Sequence, residues 1–267
     1  LESTPRADMT ASPKHLLCFD FDGTLVDTEI HGPVPPDLLE RIATLKKQRG
    51  ATWTINTGRS LFQAIAGITD HVVHPYPDYV IAQERAISYQ NQHNRWVDFG
   101  DWNKRCHKDH RKFFRSTARF FKRVRNFVET ATGATYFPAT DGPAGVLAQS
   151  DEEMEAICEY LEIERRKVPV LGYQRNGLHL RFSHAHYHKG SALGELGRLL
   201  DLEAQFVFAA GDNHNDLSML SGEYAHAVAC PANALPEVKE AVKAQGGYVA
   251  EAAFSAGVAE AVRYYYY

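Results

Sequence analysis

Short apolar runs alternate along this chain with longer stretches in which apolar residues recur every three or four positions. Leu16-Leu17-Cys18-Phe19 reads as a buried strand that ends abruptly in Asp20-Phe21-Asp22-Gly23-Thr24. Leu38, Leu39, Ile42 and Leu45 share one face of a helix that opens near Pro35-Pro36-Asp37 and stops at Gly50. Ala51–Asn56 is a second strand, running into Thr57-Gly58-Arg59-Ser60. Leu61, Ile65 and Ile68 mark a second helix, and Tyr79–Ala82 a third strand.

The rhythm changes near Gln83. Two strands, 86–89 and 95–97, flank a polar turn, and a basic stretch from Lys104 to Arg125 follows. A Gly/Pro-rich loop over 132–145 leads to a helix over 151–165 and two strands, 168–173 and 178–183. Alternation resumes at Lys189. A helix carries Leu193, Leu196, Leu199 and Leu200, and a strand over 205–210 ends in Gly211-Asp212-Asn213-His214-Asn215-Asp216. A helix starting at Leu217 and Leu220, a strand over 226–230 and helices over 235–244 and 256–263 complete the pattern. The reading is an α/β fold, a Rossmann-like doubly wound parallel sheet core with an inserted α+β domain. Its expected parts are a polar leader over 1–13, core over 14–83, the insert over 84–184 and core again over 185–267.

Composition narrows the function classes. The chain has 267 residues, 44% of them hydrophobic, enough for a substantial core, and its net charge of −4 gives no general reason to bind nucleic acid or an anionic membrane. No apolar run approaches the roughly 20 residues of a membrane span. The four cysteines have no metal-binding spacing, which points to reduced thiols and a cytoplasmic protein. Lys104–Arg125 holds ten Lys and Arg against one Asp, but Phe113, Phe114, Phe120 and Phe121 at helical spacing favour a helix with its phenylalanines inward and its charges solvated.

The chemistry lies at three strand ends. Asp20 and Asp22, Thr57, and Asp212, Asn215 and Asp216 all fall at the C-terminal edge of the predicted sheet, where open α/β folds place ligands. Clustered carboxylates there suit Mg²⁺, a hard cation that takes few protein ligands. Lys189, opening a helix, adds a point charge to the positive end of the helix dipole, while Thr57 and Gly58 offer a hydroxyl and a backbone N–H to phosphate oxygens. Such a set predicts attack of Asp20 on phosphorus, with Asp22 shuttling the proton.

Asp20-Phe21-Asp22-Gly23-Thr24, Thr57-Gly58-Arg59, Lys189-Gly190 and Gly211-Asp212-x-x-Asn215-Asp216 resemble, in order and placement, the four motifs of the haloacid dehalogenase superfamily phosphatases. The insert resembles the type-2 cap of the Cof-like and sucrose-phosphatase-like branch. The resemblance implies that Asp20 is the nucleophile and Asp22 the general acid/base. It implies phosphate binding by Thr57, Gly58, Lys189 and Asn215, and a Mg²⁺ site made by Asp20, the Asp22 carbonyl and Asp212. Asp216 would orient the lysine or a metal-bound water. Arg59 and the insert residues Tyr173, Arg175, His179 and Arg181 are candidates for substrate contact. The implied activity is hydrolysis of a small phosphorylated metabolite, a sugar phosphate, with a phosphomutase of the same chemistry or a catalytically silent binding protein as alternatives. At the insert's entrance Glu84-Arg85-Ala86 stands where the branch often has Asn-Gly-Ala.

Overall fold

A computed structural model describes residues 14–30, 32–138 and 144–267; the expected leader over 1–13 lies outside the described residues. In chain order the strands are β1 (His15–Phe19), β2 (Ala51–Asn56), β3 (Tyr79–Ala82), β4 (Ala86–Gln90), β5 (Trp96–Asp98), β6 (Thr135–Phe137), β7 (Gly145–Leu147), β8 (Leu171–Asn176), β9 (His179–His184), β10 (Val207–Ala210), β11 (Ala227–Cys230) and β12 (Tyr248–Val249). The helices are α1 (Pro36–Arg49), α2 (Leu61–Asp70), α3 (Trp102–Ser116), α4 (Ala118–Ala131), α5 (Asp151–Arg165), α6 (Lys189–Leu199), α7 (Pro236–Ala244) and α8 (Phe254–Tyr266).

Eight strands form one sheet in the order β12-β11-β10-β1-β2-β3-β4-β5, parallel from β12 to β3 and antiparallel at β4 and β5. The chain winds from β1 through β2 to β3 on one side and from β10 to β12 on the other. The reversal leaves a crevice beside the carboxyl end of β1. The register keeps the three strand ends level: Phe19 lies beside Ala210 and Ile55. Alternation along β1 sends Leu17 and Phe19 to one face, against α1, α2 and α8, and Leu16 and Cys18 to the other, against α6 and α7.

A second sheet, β6-β7-β9-β8, is antiparallel, and α4 and α5 share with it a core of Phe120, Phe121, Val124, Met154, Ile157, Leu161 and Phe182. The basic stretch forms α3 and α4 with Phe113, Phe120 and Phe121 buried. α3 spans both bodies: Trp102 and Cys106 at its start belong to the large-sheet core, Phe113 near its end to the small one.

Three expectations are corrected. The boundary expected at residue 84 falls inside the large sheet, because β4 turns back onto β3 (Ala82 beside Ala86) and β5 follows it. The strands expected to open the insert therefore extend the core. The stretch read as a loop over 132–145 contains β6, whose partner β7 begins at Gly145; residues 139–143 lie outside the described residues. No α-helix forms at Leu217; a 3-10 turn, His214–Asp216, is followed by tight turns that bury Met219 and Leu220. The closing tyrosines end α8. Tyr266 is buried beside Phe208, Tyr265 donates to the Val228 carbonyl (3.1 Å), and Tyr264 stacks on Tyr248.

Candidate active site

Asp20 extends β1 into the crevice, its N–H donating to the Ala210 carbonyl (2.9 Å). Lys189 reaches it from the first turn of α6, which His188 and Ser191 cap reciprocally: the Ser191 N–H donates to His188 Nδ1 and the His188 N–H to Ser191 Oγ. Asn56 Nδ2 holds the Lys189 carbonyl (3.0 Å). The ammonium is completely buried and donates to Asp20 Oδ1 (2.5 Å) and Asp216 Oδ1 (2.6 Å). Burial alone would lower its pKa, but the neighbouring Asp20, Asp216 and Glu84 carboxylates override it and hold the lysine above its ordinary value.

Asp216 uses both oxygens: one takes Lys189, the other accepts the N–H groups of Asp212 and Asn213 (2.9 Å each). It thus folds the loop after β10 and aims the lysine. Asp212 faces Asp20 across the crevice and accepts from Thr24 Oγ1 (2.7 Å). Gly23 explains how the two loops come so close. Its φ of +83° suits glycine, and a Cβ there would run into the Asp212 carboxylate. Asn233 Nδ2 fastens the same loop by donating to the Gly23 carbonyl (2.7 Å).

Oxygens of Asp20, Asp212 and Asp216 come within 4.8 Å of one another. Burial, and then the charge of Asp216, raises the pKa of Asp20 well above its ordinary value; burial, with Asp216 next, raises Asp212 to about 6. One lysine against three buried carboxylates leaves excess negative charge. A divalent cation would offset it, and the donors are the hard oxygens that such an ion prefers. With both Asp216 oxygens engaged, Asp20 and Asp212 are the carboxylates best placed to hold one.

The other expected residues divide. Thr57, Gly58 and Asn215 border the same crevice. The Thr57 N–H donates to the Ile81 carbonyl (2.9 Å), and Asn215 Nδ2 donates to Glu84 Oε1 (2.9 Å). Asp22 turns to Arg59, which grips both its oxygens (2.8 and 2.5 Å) while lying over the Phe21 ring. Arg59, expected among substrate contacts, is thus committed to Asp22. Of the four insert residues, Arg181 reaches the core, donating to the Gly58 carbonyl, and His179 shares its outward face on β9. Tyr173 donates to Glu162 (2.7 Å), and Arg175 is held by Asp151 and Glu155, so both are turned to α5. Thr24, Asn56 and Asn233 were not singled out from sequence. Nothing in their local pattern announces partners 133 to 210 residues away.

Residues 140–262 match the family model described as haloacid dehalogenase-like hydrolase. This part of the chain is similar to that family. A curated relative, YxeH of Bacillus subtilis (strain 168), is 44% identical over 62 residues, a match that spans 23% of this chain and 22% of YxeH. Among solved structures, the sucrose-phosphatase of Synechocystis sp. PCC6803, in complex with sucrose and phosphate, superposes with a TM-score of 0.73 at 16% identity, over 94% of this chain and 98% of the other. The subclass IIB sugar phosphatase BT4131 gives 0.62 at 17% identity over 94% and 98%. These likenesses establish that the haloacid dehalogenase-like fold extends over both sheets.

Proposed function

We propose that the protein is a Mg²⁺-dependent phosphomonoesterase acting on a sugar phosphate through an aspartyl-phosphate intermediate. The observation that carries the reading is the Lys189 ammonium buried between Asp20 and Asp216, with Asp212 across the crevice, at the strand-end switch point. The names of the two similar structures, a sucrose-phosphatase and a sugar phosphatase, support the substrate class.

Mg²⁺ would be held by Asp20, Asp212 and the Asp22 carbonyl, where it would supply positive charge between carboxylate and phosphate. Lys189, Thr57, Gly58 and Asn215 orient the phosphoryl group. An Asp20 oxygen attacks phosphorus in line as the ester P–O bond breaks, and Asp22 gives a proton to the leaving oxygen. Asp22 then takes a proton from the water that attacks phosphorus, the bond to Asp20 breaks, and inorganic phosphate leaves. Both Asp22 oxygens accept from Arg59, so the acid step requires that pair to open. The unit from α3 to β9 would act as the cap, with Arg181 at the mouth of the site.

Mg²⁺-dependent phosphate release from an aryl phosphate and a sugar-phosphate panel tests the reading. EDTA and Asp20→Asn should each abolish it; undiminished activity in Asp20→Asn would remove Asp20 as nucleophile. A phosphomutase would instead isomerise a sugar phosphate with little free phosphate released.

A further inference from the structure

Glu84 is a buried carboxylate that the reaction just described does not use. It sits in the turn between β3 and β4, where Gln83 and Glu84 have φ of +51° and +63°. These left-handed positions immediately precede Arg85. Two non-glycine residues in succession there are strained and persist only where the surroundings hold them. The loop after β2 holds them: the N–H groups of Gln83 and Glu84 donate to the carbonyls of Arg59 (2.8 Å) and Thr57 (2.9 Å).

The turn sends the Glu84 side chain back over the phosphate-binding residues. Its Oε1 accepts from Asn215 Nδ2 (2.9 Å) and lies 3.4 Å from where a Cβ on Gly58 would stand. The Asn215 oxygen has no hydrogen-bond partner, so Glu84 is what fixes this amide. The carboxylate also contributes to the rise in the Lys189 pKa. Asn215, one of the groups assigned above to phosphate, therefore already faces an anion of the protein's own that also lies beside Gly58, and Arg85 on the same turn points elsewhere, to Gln83.

We propose that Glu84 is a specificity-determining residue, an internal anion that occupies the Asn215 side of the phosphate pocket and sets how tightly phosphate is held. An incoming phosphate must displace the carboxylate from Asn215 or bind beside its charge, and either requirement weakens affinity for the anion. The product, inorganic phosphate, has no organic part for the cap to grip and bears this weakening in full.

The inference rests on the phosphatase reading, and its test separates the two. Orthophosphate binding is measured by calorimetry, with and without Mg²⁺, for wild type, Glu84→Gln and Glu84→Gly. Glutamine keeps the acceptor for Asn215 and removes the charge; glycine also relieves the left-handed backbone. Both variants should bind orthophosphate at least tenfold more tightly than wild type, and product inhibition should strengthen in parallel. Equal affinity in wild type and Glu84→Gln overturns the proposal, as does a gain confined to Glu84→Gly, which would make the effect one of backbone strain. The phosphatase reading fails separately, if wild type releases no phosphate from any ester; absence of orthophosphate binding in all three proteins overturns both.

Discussion

Replacing Lys189 by methionine isolates the charge at the centre of the site. The aliphatic stem is preserved, while Asp20 and Asp216, both buried, lose the ammonium they share at 2.5 and 2.6 Å. Removing one partner of a buried ion pair costs about 3–5 kcal/mol, because it leaves uncompensated charge in a poorly solvating environment. Each kcal/mol shifts the melting temperature by roughly 2–4 °C in a domain of about 150–250 residues, so a loss on the order of 10 °C is expected for metal-free protein near pH 7.5. The pH dependence gives the sign. The Asp20 pKa already lies above its ordinary 3.8, through burial and then the Asp216 charge. Without the lysine it rises further. Folded protein then binds more protons than unfolded protein above pH 3.8, so the contribution of this group to stability falls as pH rises towards the folded pKa. The deficit of Lys189→Met should be greatest near pH 7.5 and smallest near pH 4. Adding Asp216→Asn removes one of the facing charges and should recover at least half of it, a coupling that a double-mutant cycle in urea measures. A deficit under about 1 kcal/mol at pH 7.5, against the expected cost of a broken buried pair, or one that grows on acidification, would refute the reasoning.

Two further outcomes follow from the same geometry. Asp212, raised to about 6 by burial and then by Asp216, must give up its proton to hold a cation, so Mg²⁺ affinity by calorimetry should fall by about tenfold per pH unit below that value; a flat profile from about pH 5 to 7.5 would exclude Asp212 as a ligand. Gly23→Ala places a Cβ against the Asp212 carboxylate at a φ of +83°, and should reduce turnover by at least about a hundredfold while costing on the order of 1–3 kcal/mol in stability, read from kcat and the urea midpoint.

The sequence makes the large sheet legible because β1, β2, β3 and β10 are apolar runs that each stop at a polar loop. Depth of burial and strand end are written in the same few residues. The same property locates Asp20, Thr57 and Asp212, since α/β winding alone brings those ends to one edge. What is not legible concerns partners. β4 alternates as a strand of either body would, and only its turn onto β3 assigns it to the large sheet. β6 and β7 have three residues each, too few to carry a period. Arg59 follows a Thr-Gly pair at a strand end and could as well face substrate; that Asp22 takes it depends on two loops meeting across 37 positions. Glu84 reads in sequence as one more polar residue of the turn after β3, and the direction of its side chain is set by two left-handed residues that no local pattern announces.

The path of α3 has a practical consequence for engineering. A chimera that exchanges the substrate-facing part of this protein cannot be joined at residue 84, since that cut would strip β4 and β5 from the edge of the large sheet. Nor can it be joined within α3, whose first turns belong to one core and whose last turns belong to the other. The workable seams are Gly100-Asp101, just before α3, and Tyr187-His188, just before α6. A graft made there transfers the helix whole, and the exchanged part arrives with its own spindle; the residues to be matched are then those that seat Trp102 and Cys106 against the recipient's sheet.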